Sequence, residues 1–235
     1  MSVILSTQAL TRTFAGLTAV NCVDFSLTQG EIHALIGPNG AGKTTFVSML
    51  IGRLAPTSGT IAFRAQDVTT LPAHARVRLG MAYTFQITSV FLRLPVAENV
   101  ALAAQSWTQR RGDVDGLLAR VGLAGRGDQL ASDLSYGHQR LLEIAMGLAQ
   151  KPSLLILDEP TQGLAEPEIA AFKSLVRSLV PATTVLLIEH NMSVVMELAD
   201  QITVLNHGAV LAQGTPAEIR ANPAVQAAYL GTGNA

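Results

Sequence analysis

Cysteine is almost missing from this sequence of 235 residues. Cys22 is its single cysteine, so the chain cannot form an intrachain disulfide and cannot build a metal cluster on cysteine ligands. A lone cysteine of this kind commonly behaves as a small apolar side chain. We therefore expect Cys22 to be buried.

Long apolar runs are also missing, although 49% of the residues are hydrophobic and only 14% are charged. The longest runs, LLIL at 154–157 and VLLI at 185–188, have the length of buried strands and fall far below the roughly 18 residues that suggest a membrane span. The N-terminal segment MSVILSTQAL has neither the basic part nor the long apolar part of a secretory signal. We expect the protein to remain in the cytosol.

The chain carries no strong excess of charge of either sign. Its formal net charge of −1 gives no overall attraction to a phosphate backbone. A nucleic acid is therefore disfavoured as a partner, although a local basic patch would escape this count.

Strand-like and helix-like segments alternate along the chain, and this pattern predicts the fold class. β-rich segments occupy the start, and from SLLILD at 153–158 onward short apolar strands alternate with helical patterns. Such alternation indicates a parallel sheet covered on both faces. The apolar spacing between Pro95 and about Leu123 is helical. We expect one domain over residues 1–235, with a helical subdomain at about 95–150.

A phosphate-binding loop is predicted between the apolar strand EIHALI and the helical segment KTTFVSMLIG. The loop fits G-x-x-x-x-G-K-[ST], and the expected nucleotide-binding residues are Gly37, Pro38, Asn39, Gly40, Ala41, Gly42, Lys43, Thr44 and Thr45. In such a loop the backbone N–H groups converge on phosphate oxygens, the lysine neutralises β/γ charge, and the threonine hydroxyl is offered to Mg²⁺. A glycine-rich turn without a ligand is the alternative, but the strand and helix flanks favour phosphate binding.

Two acidic residues, Asp158 and Glu159, follow the buried strand SLLIL. Ligands bind at the carboxyl ends of strands in open α/β sheets. Asp158 suits an outer-sphere or water-mediated contact to Mg²⁺, and Glu159 suits a base that polarises the attacking water. Two acids after a strand are more often a helix cap or a solvated turn. The phosphate loop in the same chain favours catalysis.

The segment LSYGHQ at 134–139 resembles the signature motif of the ABC ATPases, usually LSGGQ, and it precedes the helix that leads into SLLILDEP. The resemblance implies that the signature residues Ser135, Tyr136, Gly137 and His138 act on ATP held by a partner subunit. It also implies that Phe14 stacks on adenine, that Gln86 is the Q-loop residue, and that His190 is the switch histidine near the γ-phosphate. Alternatively, Ser135 caps a helix, Phe14 belongs to the core, and His190 is structural.

Resemblance to the ABC ATPases implies an α/β fold of the P-loop NTPase class, with a mixed sheet core, an N-terminal antiparallel β subdomain and the helical insertion. It implies ATP hydrolysis by Glu159, His190 and Gln86, and Mg²⁺ held near Thr44, Gln86 and Asp158. Two subunits would face each other head to tail as a homodimer or heterodimer. Permease subunits would dock on the segment after Gln86, at the cytoplasmic face of the inner membrane.

Several segments are similar to the ATPases of the branched-chain amino acid importers, a family that also handles other amino acids, amides and urea: LSYG, TFQITSVFLRLPVAENV and AVQAAYLG. This resemblance implies a periplasmic binding protein as an indirect partner. The ATPase of lipopolysaccharide export is the alternative, and a non-transport ABC ATPase is a weaker one.

Two residues depart from the family pattern. His138 replaces a common glutamine, and Ala165 stands in the D-loop GLAEPE, where an aspartate or asparagine is usual. Because alanine has no polar side chain, either one site is weakened or the backbone makes the contact.

Overall fold

The computed structural model describes residues 2–84, 89–105 and 113–230, and its first layer is an antiparallel sheet. This sheet has the order β2-β1-β4-β5, with strands β1 (Val3–Phe14), β2 (Leu17–Thr28), β4 (Ser58–Phe63) and β5 (Gln66–Asp67). β1 and β2 form a hairpin in which Phe14 pairs with Leu17. The predicted N-terminal antiparallel subdomain is confirmed.

The second sheet has the order β10-β9-β3-β8-β7-β6. Its strands are β3 (Ile32–Ile36), β6 (Met81–Thr84), β7 (Leu154–Asp158), β8 (Thr184–Ile188), β9 (Gln201–Asn206) and β10 (Ala209–Gly214). β10 runs antiparallel to β9, and the other neighbours are parallel. Every residue of β3, β7 and β8 is buried, as expected for a sheet with both faces covered.

Nine helices in the described part of the chain pack around these sheets. They are α1 (Lys43–Leu50), α2 (Ala73–Arg78), α3 (Val96–Gln105), α4 (Val114–Arg120), α5 (Tyr136–Ala149), α6 (Glu166–Leu179), α7 (Met192–Leu198), α8 (Pro216–Ala221) and α9 (Pro223–Leu230). Apolar side chains of α3, α4 and α5 share one core cluster with Leu155 and Leu157 of β7. The helical segment is thus anchored directly on the strand that carries the two acidic residues.

Cys22 corrects one sequence prediction, because the structure shows it exposed. Its backbone has φ 47°, and the pairing of β1 with β2 is irregular between Thr7 and Arg12. The bulge interrupts strand alternation, so that Asn21 and Cys22 both face outward. The prediction that Cys22 is buried is wrong.

Four elements were not predicted from the sequence: β5, β10, α8 and α9. The two terminal helices complete a small apolar cluster through Ile219 and Val225, which pack against β3 and β9. Within the described ranges, every helix is too short or too polar to span a bilayer.

Candidate nucleotide-binding site

Two glycines shape the loop between β3 and α1, because each lies too close to the backbone of another segment to carry a side chain. A Cβ on Gly37 would lie 2.2 Å from the carbonyl oxygen of Leu205, and a Cβ on Gly42 would lie 2.4 Å from that of Ala19. Gly42 has φ 97° and is the N-cap of α1. The first turn of α1, Lys-Thr-Thr-Phe, carries no acidic side chain. The loop therefore presents the positive end of a helix to an anion.

Lys43 lies within this loop, where its Nζ donates to the carbonyl oxygens of Gly37 at 2.6 Å and Pro38 at 3.1 Å. Burial lowers the pKa of the Lys43 ammonium, while the nearby charges of Glu159 and Asp158 act in the opposite direction. Thr44 is exposed and Thr45 is half-buried on the first turn of α1. Asn39 and Gly40 are exposed, whereas Ala41 is buried.

Asp158 lies at the carboxyl end of β7 and is 4% exposed. Its Oδ2 accepts a hydrogen bond of 2.7 Å from the hydroxyl of Tyr83, which lies on the neighbouring strand β6. Burial raises the pKa of the Asp158 carboxyl, and the Tyr83 hydrogen bond opposes this rise. Burial and the bond to Asp158 also raise the pKa of Tyr83.

Glu159 has a left-handed backbone, with φ 47°, a conformation that costs about 1–2 kcal/mol for a residue with a Cβ. Its N–H donates to the carbonyl oxygen of Ile188 at 2.9 Å. Its Oε1 lies 3.8 Å from Nδ1 of His190, which follows β8 and has an exposed side chain. The structure thus brings Lys43, Asp158, Glu159 and His190 into one electrostatic cluster.

Glu189, which the sequence reasoning missed, holds two of the site's loops together. It is 1% exposed. Its Oε1 accepts from the N–H of Thr161 at 3.0 Å, and its Oε2 accepts from those of His190 at 3.0 Å and Asn191 at 3.1 Å. The turn after Glu159 is therefore tied to the loop that carries His190.

The signature segment begins α5, and Ser135 is its N-cap. The Ser135 Oγ accepts from the N–H of His138 at 3.2 Å and hydrogen-bonds Nδ1 of its ring at 2.8 Å. Capping by Ser135 is confirmed, and it is compatible with the signature role, which stays a prediction.

The signature segment packs against the loop and helix that follow Glu159. The ring of Tyr136 lies 3.0 Å from the position that a Cβ on Gly163 would occupy. Gly137 is buried, and a Cβ there would lie 2.6 Å from Oε1 of Glu168 on α6. A side chain at position 137 would thus collide with the first turn of α6.

Phe14 is exposed at the end of β1, so the alternative that it belongs to the core is wrong. The guanidinium carbon of Arg12 lies 4.5 Å from the Phe14 ring centroid, within the range of a cation–π contact.

Gln86 lies outside the described residues, and its predicted role stays a prediction. Ala165 is the N-cap of α6, and its N–H donates to Oε2 of Glu168 at 2.8 Å.

Two other polar contacts escaped the sequence reasoning, those of Tyr83 and of Arg140. Arg140 and Glu143 form a buried ion pair of 3.1 Å inside α5. Their i,i+3 spacing is visible in the sequence, but nothing local shows that this face of the helix is buried. The partner of Tyr83 is 75 residues away along the chain.

The donor set fits Mg²⁺ held together with a nucleotide. Among the described residues, no group of three or more His, Cys, Asp and Glu side chains is placed to hold a metal ion. Mg²⁺ commonly takes one or two protein ligands, with phosphates and waters completing its octahedron. A hydroxyl on Thr44 and a carboxylate on Asp158 match that mode of binding.

Known proteins match this chain along nearly its whole length. The ABC transporter family matches residues 20–162, and the branched-chain amino acid ATP-binding cassette transporter family matches residues 209–235. The high-affinity branched-chain amino acid transport ATP-binding protein LivG of Salmonella typhimurium is 42% identical over 250 positions, covering 97% of this chain and 98% of that protein. The lipopolysaccharide export system ATP-binding protein LptB of Acidithiobacillus ferridurans is 34% identical, covering 98% of each.

A solved structure gives the same result for the fold. The ADP conformation of MJ1267, an ATP-binding cassette of an ABC transporter, is similar with a TM-score of 0.88 at 26% identity, covering 98% of this chain and 100% of that one. The predicted fold class is thereby confirmed. The chain belongs to the ABC transporter family, and it is an ATP-binding, ATP-hydrolysing transport subunit.

Proposed function

We propose that this subunit powers an importer of branched-chain or related amino acids, with its phosphate loop, Asp158, Glu159 and His190 forming one half of the hydrolytic machinery. The observation that carries the hydrolytic part is the cluster of Lys43, Asp158, Glu159 and His190. The similarity to LivG and the family match at 209–235 support the choice of cargo.

Each residue of the cluster has a role that suits its surroundings. The loop from Gly37 to Thr45 binds the phosphates, with Lys43 placed to exchange its carbonyl contacts for phosphate oxygens. Glu159 accepts a proton from the attacking water, and His190 lies close enough to orient that water or the γ-phosphate. Phe14 offers its exposed ring to adenine.

Mg²⁺ bound with ATP would be held near Thr44 and Asp158, with Gln86 as a further ligand by family resemblance. When bound, the ion neutralises charge on the transferred phosphoryl group. The chain's own contribution is to keep Asp158 fixed, and the hydroxyl of Tyr83 supports this by holding one of its oxygens.

A second ATPase subunit completes the site in this proposal. By resemblance to the ABC ATPases, Ser135 and the amide of Gly137 would reach the γ-phosphate of ATP bound by the partner. In their own subunit they lie at the start of α5, beside Gly163 and Glu168. The assembly is then a homodimer or heterodimer with two composite sites. The single domain over 1–235, with its helical subdomain at about 95–150, stays part of the proposal.

Permease subunits are proposed to dock on the segment before α3. Phe91 and Leu92 are both about half exposed, and exposed apolar side chains of this size suit a protein interface. Asn99 is buried and holds the segment in shape: its Oδ1 accepts from the N–H of Phe91 at 2.7 Å, and its Nδ2 donates to the carbonyl oxygen of Pro95 at 3.0 Å. Such docking would put the subunit at the cytoplasmic face of the membrane.

Reconstitution tests the cargo. The chain is assembled in proteoliposomes with the permeases, partner ATPase and binding protein of a branched-chain amino acid importer, and ATPase activity is measured with the binding protein loaded with leucine, isoleucine or valine. We expect stimulation of about tenfold over unloaded protein, which corresponds to an activation free energy lower by about 1.4 kcal/mol. Absence of stimulation, together with activity in a lipopolysaccharide-extraction assay, would contradict import and support the export alternative.

A further inference from the structure

Arg140 connects the signature helix to the main chain of the proposed catalytic base. It lies on α5, five residues after the N-cap Ser135, and is 2% exposed. Its Nη1 pairs with Oε2 of Glu143 at 3.1 Å, and its Nη2 donates to the carbonyl oxygen of Glu159 at 3.4 Å. Burying a guanidinium is costly unless such partners compensate it.

The contact with Glu159 falls on a backbone that is held from both sides. The N–H of Glu159 bonds to Ile188 of β8, and its carbonyl oxygen accepts from Arg140 of α5. Since Glu159 has an unfavourable left-handed φ of 47°, its conformation depends on these neighbours. One of the two groups that hold the backbone of Glu159 therefore belongs to α5.

The same arginine also contacts the signature motif. Its guanidinium carbon lies 5.9 Å from the centroid of the Tyr136 ring, and Tyr136 itself packs against Gly163 in the loop after Glu159. Ser135 and Arg140 belong to the N-cap and the body of one helix of 14 residues, so a single rigid element links the signature motif to the contact with Glu159.

We propose that Arg140 is a positioning residue that couples the two composite ATP sites, by setting the backbone of Glu159 according to the position of the signature helix. Contact of Ser135 with the partner's ATP would then prepare Glu159 for hydrolysis in its own subunit. This inference rests on the proposed two-subunit function.

The test compares Arg140→Met and Arg140→Lys with a matched control, Arg76→Lys. Arg76 is also buried, and it donates to the carbonyl oxygens of Met49 at 2.7 Å and Leu50 at 2.6 Å. These two acceptors lie at the C-terminal end of α1, which is the end remote from the phosphate loop. Each variant is assembled with its partner ATPase and permeases. Binding of a fluorescent ATP analogue, kcat, KM, the Hill coefficient for ATP and Tm are measured.

For Arg140→Met we expect nucleotide affinity to stay within about twofold, kcat to fall about tenfold or more, and the Hill coefficient to fall toward 1. Arg140→Lys should recover part of the loss in kcat and part of the loss in the Hill coefficient. Lysine keeps the positive charge beside Glu143 but lacks the several N–H donors of the planar guanidinium. Arg76→Lys should lower Tm without changing the Hill coefficient.

If Arg140→Met fails to fold because Glu143 is left as a buried unpaired carboxylate, the pair is removed together as Arg140→Met/Glu143→Leu. An unchanged Hill coefficient in the folded Arg140 variants would overturn the inference and leave the proposed function intact. A parental assembly with a Hill coefficient of 1 and no ATP-dependent pairing of subunits would contradict the two-site function, and with it the coupling.

Discussion

The hydroxyl of Tyr83 and the carboxylate of Asp158 form a hydrogen bond of 2.7 Å between two parallel neighbouring strands, β6 and β7. This bond partly offsets the unfavourable burial of Asp158, but the pKa of the carboxyl is still raised. The ionised side chain is therefore destabilising in the protein without nucleotide, which is typical of a group kept for function.

Asp158→Asn is accordingly expected to stabilise the nucleotide-free protein at neutral pH while abolishing Mg²⁺-dependent turnover. Because the pKa of Asp158 is higher in the folded than in the unfolded state, the wild-type protein gains stability as the carboxyl becomes protonated in acid. The advantage of asparagine in free energy of unfolding should thus shrink as pH falls through the folded pKa. Urea unfolding of both proteins at a series of pH values measures this difference in free energy of unfolding. Equal stability of the variant and the wild-type protein at neutral pH would contradict the prediction.

Glu159→Gln is expected to bind ATP and to lose turnover by about 10²–10⁴-fold, because an amide cannot accept the proton of the attacking water. The phosphate loop is unchanged, so an ATP-dependent dimer should accumulate with itself or with the partner ATPase. Phosphate release and size-exclusion chromatography measure the two effects. Lys43→Ala is the contrasting variant, since it should lower nucleotide affinity about 10- to 100-fold. Phosphate release near the wild-type rate would remove Glu159 from the role of base.

Gly137→Ala is expected to destabilise the protein by about 1 kcal/mol, the typical net contribution of one hydrogen bond. The added Cβ would lie 2.6 Å from the carboxylate of Glu168, so this side chain must turn away and lose its hydrogen bond with the N–H of Ala165. In a Glu168→Ala background the carboxylate is absent, so Gly137→Ala should cost no further stability there. Thermal unfolding of the two single variants and the double variant checks this, and strict additivity of their effects would exclude the contact as the cause.

Ala165→Asn is expected to stabilise α6 by about 0.5–2 kcal/mol, because asparagine is a strong N-cap and alanine cannot cap. Alanine occupies the N-cap here, with only the reciprocal bond from its N–H to Glu168. If the missing side chain also weakens communication between the sites, Ala165→Asn and Ala165→Asp should raise ATPase activity or its cooperativity in the assembled transporter. Unchanged rates and Hill coefficients would show that the D-loop backbone makes the contact.

The parts of the site that the sequence predicts are those contained in short segments. The phosphate loop and the pair Asp158–Glu159 each lie between a strand and a helix or turn that the sequence itself indicates, so their place at the edge of the parallel sheet could be predicted. Capping by Ser135 could be predicted for the same reason.

The contacts that were missed join residues distant in sequence or depend on irregular backbone. Tyr83 and Glu189 have partners 75 and 28 residues away, and no periodicity shows which strands become neighbours. Cys22 was wrongly placed because a bulge interrupts the alternation of β2. The role of Gln86 is still only a prediction, since it lies outside the described residues.

The buried carboxylate of Glu189 has a consequence for how the site opens. One side chain accepts from the amides of Thr161, His190 and Asn191, so releasing either loop leaves that carboxylate without part of its hydrogen bonding in a dry environment, which is costly. The two loops should therefore open and close as one cooperative unit rather than fray separately. Their three amides should exchange with solvent deuterium at a common rate, which makes the region after Glu159 and the region of His190 a single element of the protein's dynamics.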